Sequence, residues 1–252
     1  MSPVEPVPGR PAAVADCGDE RALVLADYHA GIERGLRYER GVELTSDAGP
    51  RRQRLLSLLR ETDPDRLVVV GDLAHRIGDP SGDERAELDD LVAAVTEQVP
   101  FTLVPGNHDG GFGEAYDAVE VADGDGLRLG DVGFVHGHTW PSPEVLGARV
   151  VCMGHEHPAV RLVDEVGGAR VEKAWLRGPL PRDVFAERYG GDLQWGDPEL
   201  VVFPAFNDRS GGTWTNVDGQ GFLSPFLPAA FLDGATEAYL LDGTRLGRYD
   251  RV

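Results

Sequence analysis

All seven histidines of this 252-residue chain, His29, His75, His108, His136, His138, His155 and His157, fall between positions 29 and 157. Most stand beside a carboxylate, an amide or a second imidazole. In chain order the blocks are Asp27-Tyr28-His29, Gly71-Asp72, Gly106-Asn107-His108-Asp109, His136-Gly137-His138 and Gly154-His155-Glu156-His157. Imidazole nitrogens and carboxylate oxygens are the usual donors to divalent transition metals. An aspartate can bridge two ions with its two oxygens, and an asparagine adds a neutral donor without a third negative charge. One block alone carries little weight, because a single buried histidine is usually a hydrogen-bonded core residue and Gly-Asp is a common turn. Five ordered blocks together point to a metal centre. Cys152 reads as a small buried hydrophobe rather than a thiolate donor, and Cys17 as part of a mobile leader.

Such a centre needs elements that bring its donors to one place. Each block follows a short apolar run: ALVLAD ends at Asp27, RLVVVGD at Asp72, FTLVPGN at Asn107, VGFVHGH at His138 and ARVVCMGHEH at His157. Near-continuous apolar runs of this length are the pattern of buried strands. Between them, residues 51–61 and 83–98 carry apolar residues at helical spacing, so the first half alternates β-α-β-α-β. Ligands of open α/β sheets gather beyond the carboxyl ends of strands, and five strand ends would deliver His, Asp and Asn to one rim. Asp27 and His29, two apart in extended chain, are predicted to share a side. Glu156 is predicted to point away from any ions, since both its neighbours point toward them.

The composition bounds the rest. Residues 1–20 read as a flexible Pro-rich leader and residues 21–252 as a single domain. No export signal or apolar run long enough to span a membrane is present, and two cysteines make no disulfide framework. A soluble, cytoplasmic setting is expected. Acids outnumber bases 43 to 24, for a net charge of −19, and Lys173 is the only lysine. This composition is similar to that of proteins from salt-loving microbes, in whose molar salt the Debye length falls to roughly 3 Å. Such a surface disfavours loose attachment to nucleic acid or anionic lipid, so a site handling an anion must supply its own local positive charge.

The five blocks, over residues 22–158, resemble the signature of the calcineurin-like metallophosphoesterase superfamily. The resemblance implies an α/β fold, a four-layer α-β-β-α sandwich of two mixed sheets flanked by helices. Later segments, AVRLVDEV, ARVEKAWL, LVVFPAF, ATEAYLLDG and TRLGRYD, could then supply the second sheet. It implies one ion held by Asp27, His29, Asp72 and His157 and another by Asp72, Asn107, His136 and His155, with His108 as the catalytic histidine. Further features, Ala26 to Gly31 with Glu33, His-Gly-His-Thr-Trp-Pro, and Phe203-Pro204-Ala205-Phe206 followed by Gly211-Gly212, look like the archaeal and bacterial phosphoesterases related to ligase-associated DNA-repair endonucleases. Tyr28 and Glu156 depart from the usual residues at their positions.

In the chemistry so implied, two divalent ions against two carboxylates leave a charge of about +2, an island that attracts phosphate and activates water. His108 is placed to protonate the leaving oxygen, with Asp109 orienting its ring or capping a turn. Nitrogen and oxygen donors without cysteine suit Mn²⁺ first, then Fe or Zn²⁺. The substrate is a phosphoester, and a phosphodiester such as DNA or RNA is the leading reading. A phosphomonoesterase, or a non-catalytic scaffold of the same fold, is the alternative. His75, His138, Tyr28 and Arg34 are candidates for supporting the donors or touching substrate. Arg34, Arg37 and Arg40, then Arg51, Arg52 and Arg54, form two basic clusters that could track a nucleic-acid backbone or merely balance nearby acids. Trp140 and Trp214 could stack bases or simply pack.

Overall fold

A computed structural model describes residues 2–217, 221–231 and 235–252, without the side chains of residues 39 and 40. Arg40 of the first basic cluster therefore lies outside the described side chains.

Six strands form the first sheet in the order β1 (Val4–Pro6), β2 (Ala13–Asp16), β3 (Arg21–Leu25), β4 (Arg66–Val70), β5 (Phe101–Val104) and β6 (Glu120–Val121). The pairs from β3 to β6 are parallel, and β1 and β2 are added antiparallel. Helices α1 (Ile32–Arg40) and α2 (Ala48–Thr62) cross from β3 to β4, and α3 (Asp83–Thr96) from β4 to β5. A one-turn helix, α4 (Phe112–Ala115), follows β5.

The second sheet uses β7 (Leu127–Leu129), β8 (Val132–Val135), β9 (Val150–Met153), β10 (Ala159–Val163), β11 (Ala169–Pro179), β12 (Glu199–Val202), β13 (Glu237–Leu240) and β14 (Arg245–Arg248). Its order is β14-β13-β11-β12-β9-β8-β7, with β10 paired to β11. The inner strands β8, β9 and β12 are parallel. Helices α5 (Pro143–Leu146) and α6 (Arg182–Tyr189) are the described α-helices of this half.

Strand alternation builds the layers, because successive side chains face opposite sides. On β3, Leu23 and Leu25 pack with Leu55 and Leu59 of α2 and Leu88 and Leu91 of α3. The intervening Ala22 and Val24 turn inward to Phe134, Cys152, Trp175 and Phe203 of the second sheet. Beyond that sheet, Val151, Leu176 and Leu200 meet Val145 and Phe185 of α5 and α6. The result is the expected pair of mixed sheets flanked by helices, and all five anticipated strands and both helices are present. The five strand ends, however, come from two sheets, β3, β4 and β5 from one and β8 and β9 from the other.

The first twenty residues are not a flexible leader. Val4, Ala13 and Ala15 are buried in the layer between the sheets, and β1 and β2 extend the first sheet. Small side chains fit the narrow space there, and the prolines sit in the edge strand and its turn, where a missing N–H costs nothing. Cys17 is buried in the same layer. Among the described residues no helix is long and apolar enough to cross a membrane.

Candidate metal centre

Beyond the strand ends the backbone leaves extended geometry abruptly. Among the described residues seven non-glycines have positive φ, and five are expected metal donors: Asp27 (58°), His29 (49°), Asp72 (50°), His155 (70°) and His157 (45°). Such conformations cost of order 1–3 kcal/mol each and persist only where the surroundings over-determine them. Asp27 and His29 thus converge through left-handed turns, not through the extended geometry predicted for them. Their N–H groups donate to the carbonyls of Gly71 and Asp72 at 3.0 and 2.9 Å. From the other sheet, Asn207 donates its own N–H to the Asp27 carbonyl at 3.1 Å. Its side-chain Nδ2 donates to the Tyr28 and His29 carbonyls at 2.8 and 3.2 Å. Two glycines are obligatory for space: a Cβ on Gly71 would lie 2.0 Å from His136 Nδ1, and one on Gly106 2.2 Å from Asp72 Oδ1.

Among the described residues three groups of donor atoms result, one of them His29, His75 and His108, and the other two share Asp72. Of these two, the first comprises Asp27, His29, Asp72 and His157, and the second Asp72, His136 and His155, each with its donor atoms within 4.8 Å of one another. In the first, His157 Nε2 lies 3.1 Å from Asp27 Oδ1 and 3.3 Å from His29 Nε2, and His29 Nε2 lies 3.9 Å from Asp72 Oδ2. In the second, His136 Nε2 is 3.4 Å from Asp72 Oδ1 and 3.2 Å from His155 Nδ1. Donors bound at about 2.1 Å to one tetrahedral or octahedral ion stand about 3.0–3.4 Å apart, so this donor set fits a divalent cation. Asn107 is exposed and belongs to neither of these groups of carboxylates and imidazoles, but it stands between Gly106, which packs on Asp72, and His108, whose N–H donates to Asp72 Oδ1 at 3.1 Å.

Partners behind the rings choose the tautomers. His157 Nδ1 donates to the Gly211 carbonyl at 2.7 Å and His136 Nδ1 to the Val70 carbonyl at 3.0 Å. A carbonyl only accepts, so Nδ1 carries a proton in each ring and Nε2 is the atom offered to the cluster. Burial holds His29 down to about 3, and burial followed by the His136 charge holds His155 down to about 4, so both rings stay neutral as metal ligation requires. Burial would also lower His136, but Asp72 and Asp27 beside it prevail and raise it to about 9. The two carboxylates thus favour a proton on this buried imidazole, and a cation bound there would displace it.

His108 presents Nε2 to the cluster, 3.8 Å from Asp72 Oδ2, while Nδ1 is held by the His75 carbonyl. Asp109 does not orient that ring. It is buried and accepts the N–H groups of Gly106 at 2.8 Å and Ala74 at 3.0 Å, fastening the Asp72 and Asn107 loops to each other. Burial, then the Asp72 charge, pushes its carboxyl up to about 6. The His75 ring stacks on His108 at 5.9 Å and meets the edge of His29 at 5.3 Å, so it adjoins the first group. His138 lies farther out, 5.4 Å from the His136 ring and 6.3 Å from His155.

Tyr28 is fully buried and stacks on Phe206 at 5.8 Å, so it cannot meet a substrate. Of the basic clusters, Arg51 is fully buried, while Arg52 pairs with Asp90 at 2.5 Å and Arg54 with Asp208. Arg34 and Arg37 line a cavity of about 860 Å³ between α1, α2 and α3, beside the donors rather than over them. Trp140 packs edge-on against Phe185 at 5.8 Å, whereas Trp214 is partly exposed. Glu156 points away as predicted, accepting the N–H groups of Leu223 at 3.0 Å and Ser224 at 2.7 Å. Asn207, Glu84, which accepts the His75 N–H at 2.9 Å, and Glu87, which accepts the Gly31 N–H at 2.9 Å, brace the site and are not among the residues expected from the sequence. Only the proximity of Asn207 to the Phe203–Phe206 run offered a signal.

Residues 20–145, half of the chain, match the family model described as calcineurin-like phosphoesterase. The match includes every block except Gly154-His155-Glu156-His157. Among solved structures, a nuclease, MPE of Pseudomonas putida, is similar with a TM-score of 0.56 and 20% identity, over 96% of this chain and 100% of that one. YfcE, a phosphoesterase from E. coli, gives a TM-score of 0.36 and 20% identity over 57% of this chain and 73% of its own. No curated protein matches the sequence significantly.

Proposed function

Because the chain belongs to the calcineurin-like phosphoesterase family and is thereby a hydrolase acting on ester bonds, we propose that it cleaves phosphodiesters with two divalent cations, with nucleic acid as the substrate class. The observation that carries this reading is the pair of donor groups joined at Asp72. Asp27, His29, Asp72 and His157 would hold one cation, and Asp72, Asn107, His136 and His155 the other. Nitrogen and oxygen donors without a thiolate favour Mn²⁺, with Fe or Zn²⁺ next. The cations, when bound, supply Lewis acidity toward the phosphoryl oxygens and toward an attacking water.

The chain's own residues do the rest. The His75 carbonyl fixes the His108 ring, and protonated Nε2 delivers a proton to the leaving oxygen. Asp109 keeps the loops that carry Asp72 and His108 in register. The preference for nucleic acid is supported by the likeness to MPE of Pseudomonas putida, which is a nuclease. Hydrolysis of bis-p-nitrophenyl phosphate, p-nitrophenyl phosphate, and single- and double-stranded DNA and RNA with added Mn²⁺ tests it. Diester cleavage is expected. Turnover of monoesters alone would overturn the diesterase reading, and no turnover at all would favour a binding scaffold.

A further inference from the structure

A set of buried charges lies under the strand end that carries Asp27 and His29 without contributing to either donor group. Arg51 of α2 is fully buried. Its Nε and Nη2 donate to Glu87 of α3 at 2.9 and 2.7 Å, and Nη1 donates to Glu33 of α1 at 3.2 Å. The same guanidinium lies over the Tyr28 ring, 5.3 Å from its centroid. Glu87 uses its other oxygen to accept the Gly31 N–H at 2.9 Å. Three helices are thereby tied by one side chain to residues 28 and 31, which flank His29.

Burying a guanidinium with two carboxylates is a poor way to gain stability, since well-packed apolar residues often do as well. Direction is what the ion cluster adds. Asp27 and His29 have positive φ, and Gly31 is also left-handed at 77°, so the whole segment depends on external restraint. The second donor group shares Asp72 and its His155 N–H donates to Asp27 Oδ2 at 3.2 Å, but His136 rests on the Val70 carbonyl and His155 follows β9 of the other sheet, so most of its support lies elsewhere.

We propose that Arg51 is a positioning residue for the first donor group, acting through Tyr28 and through Glu87 on Gly31. This rests on the metal-dependent reading above. A planar fork bonding two carboxylates cannot be replaced by the single ammonium of lysine, so Arg51→Lys should restore charge without restoring geometry. The test is calorimetric titration of chelator-stripped full-length protein with MnCl₂, with melting in chelator as the control for folding. Wild type is expected to bind two ions. Arg51→Met should weaken one site about 10–100-fold and the other much less, and Arg51→Lys should fall between. Raising MnCl₂ should return Arg51→Met turnover toward wild type.

Unchanged affinity at both sites overturns the proposal, as does equal weakening of both sites with early melting, which marks a general role in folding. If Arg51→Met does not fold, Glu87→Gln decides: selective weakening of one site supports the proposal, and wild-type binding overturns it. Wild-type protein that binds no Mn²⁺ would instead remove the metal-dependent reading itself, and this inference with it.

Discussion

His108 reaches the donor cluster with both its ring and its backbone restrained, Nδ1 by the His75 carbonyl and N–H by Asp72. Removing the imidazole takes away a proton donor and leaves the carboxylate and imidazole donors of both Asp72-linked groups in place. For His108→Ala we expect kcat on a diester to fall about 10²–10⁴-fold with Mn²⁺ binding by calorimetry unchanged. Loss of metal binding in that variant would make His108 a structural prop. Gly71→Ala probes the opposite case: its Cβ would press on His136, so metal affinity should fall even though no donor is changed. The residue types were legible in the sequence because the chemistry restricts them to His, Asp and Asn. The left-handed backbone at Asp27 and His29 was not, since it follows from carbonyls at Gly71 and Asp72 and from the remote Asn207.

At the level of elements, the centre is a seam between two sheets. β3, β4 and β5 supply one side and β8 and β9 the other, and the segment after β12 closes the seam through Asn207 and the Gly211 carbonyl. Asn207→Ala would leave the buried Tyr28 and His29 carbonyls without their donor, which costs about 1–3 kcal/mol. Urea unfolding should show that loss, and an unchanged midpoint would mean that the two sheets hold the seam without it. The strands themselves were legible from their apolar runs. Arg51 was not, because a helical arginine next to Arg52 and Arg54 reads the same whether it faces water or a buried carboxylate. Only the fold brings Glu33 and Glu87 to it. The first strands were missed for a related reason, as their prolines and alanines resemble a linker until β3 offers them a partner.

For the whole molecule, the net charge of −19 sets the background against which any anion must bind. The sole lysine does not relieve it at the surface, because Lys173 donates to the Ala205 and Asn207 carbonyls at 2.8 and 3.0 Å and belongs to the seam. Screening should therefore stabilise the fold, with the melting temperature rising between about 0.1 and 2 M KCl. A flat or falling curve would remove the connection between the acidic composition and a salty environment. Within that field a cation centre is the local positive charge that a phosphoester requires, and Asp72 is the residue on which both donor groups depend. The direct test is turnover of bis-p-nitrophenyl phosphate by chelator-stripped protein as MnCl₂ is added, with Asp72→Ala in parallel. Wild type should be inert in chelator and reach full turnover near two equivalents of Mn²⁺, while Asp72→Ala stays inert throughout. Hydrolysis that survives chelation, or that survives the loss of Asp72, would contradict a metal-dependent phosphoesterase built on this cluster.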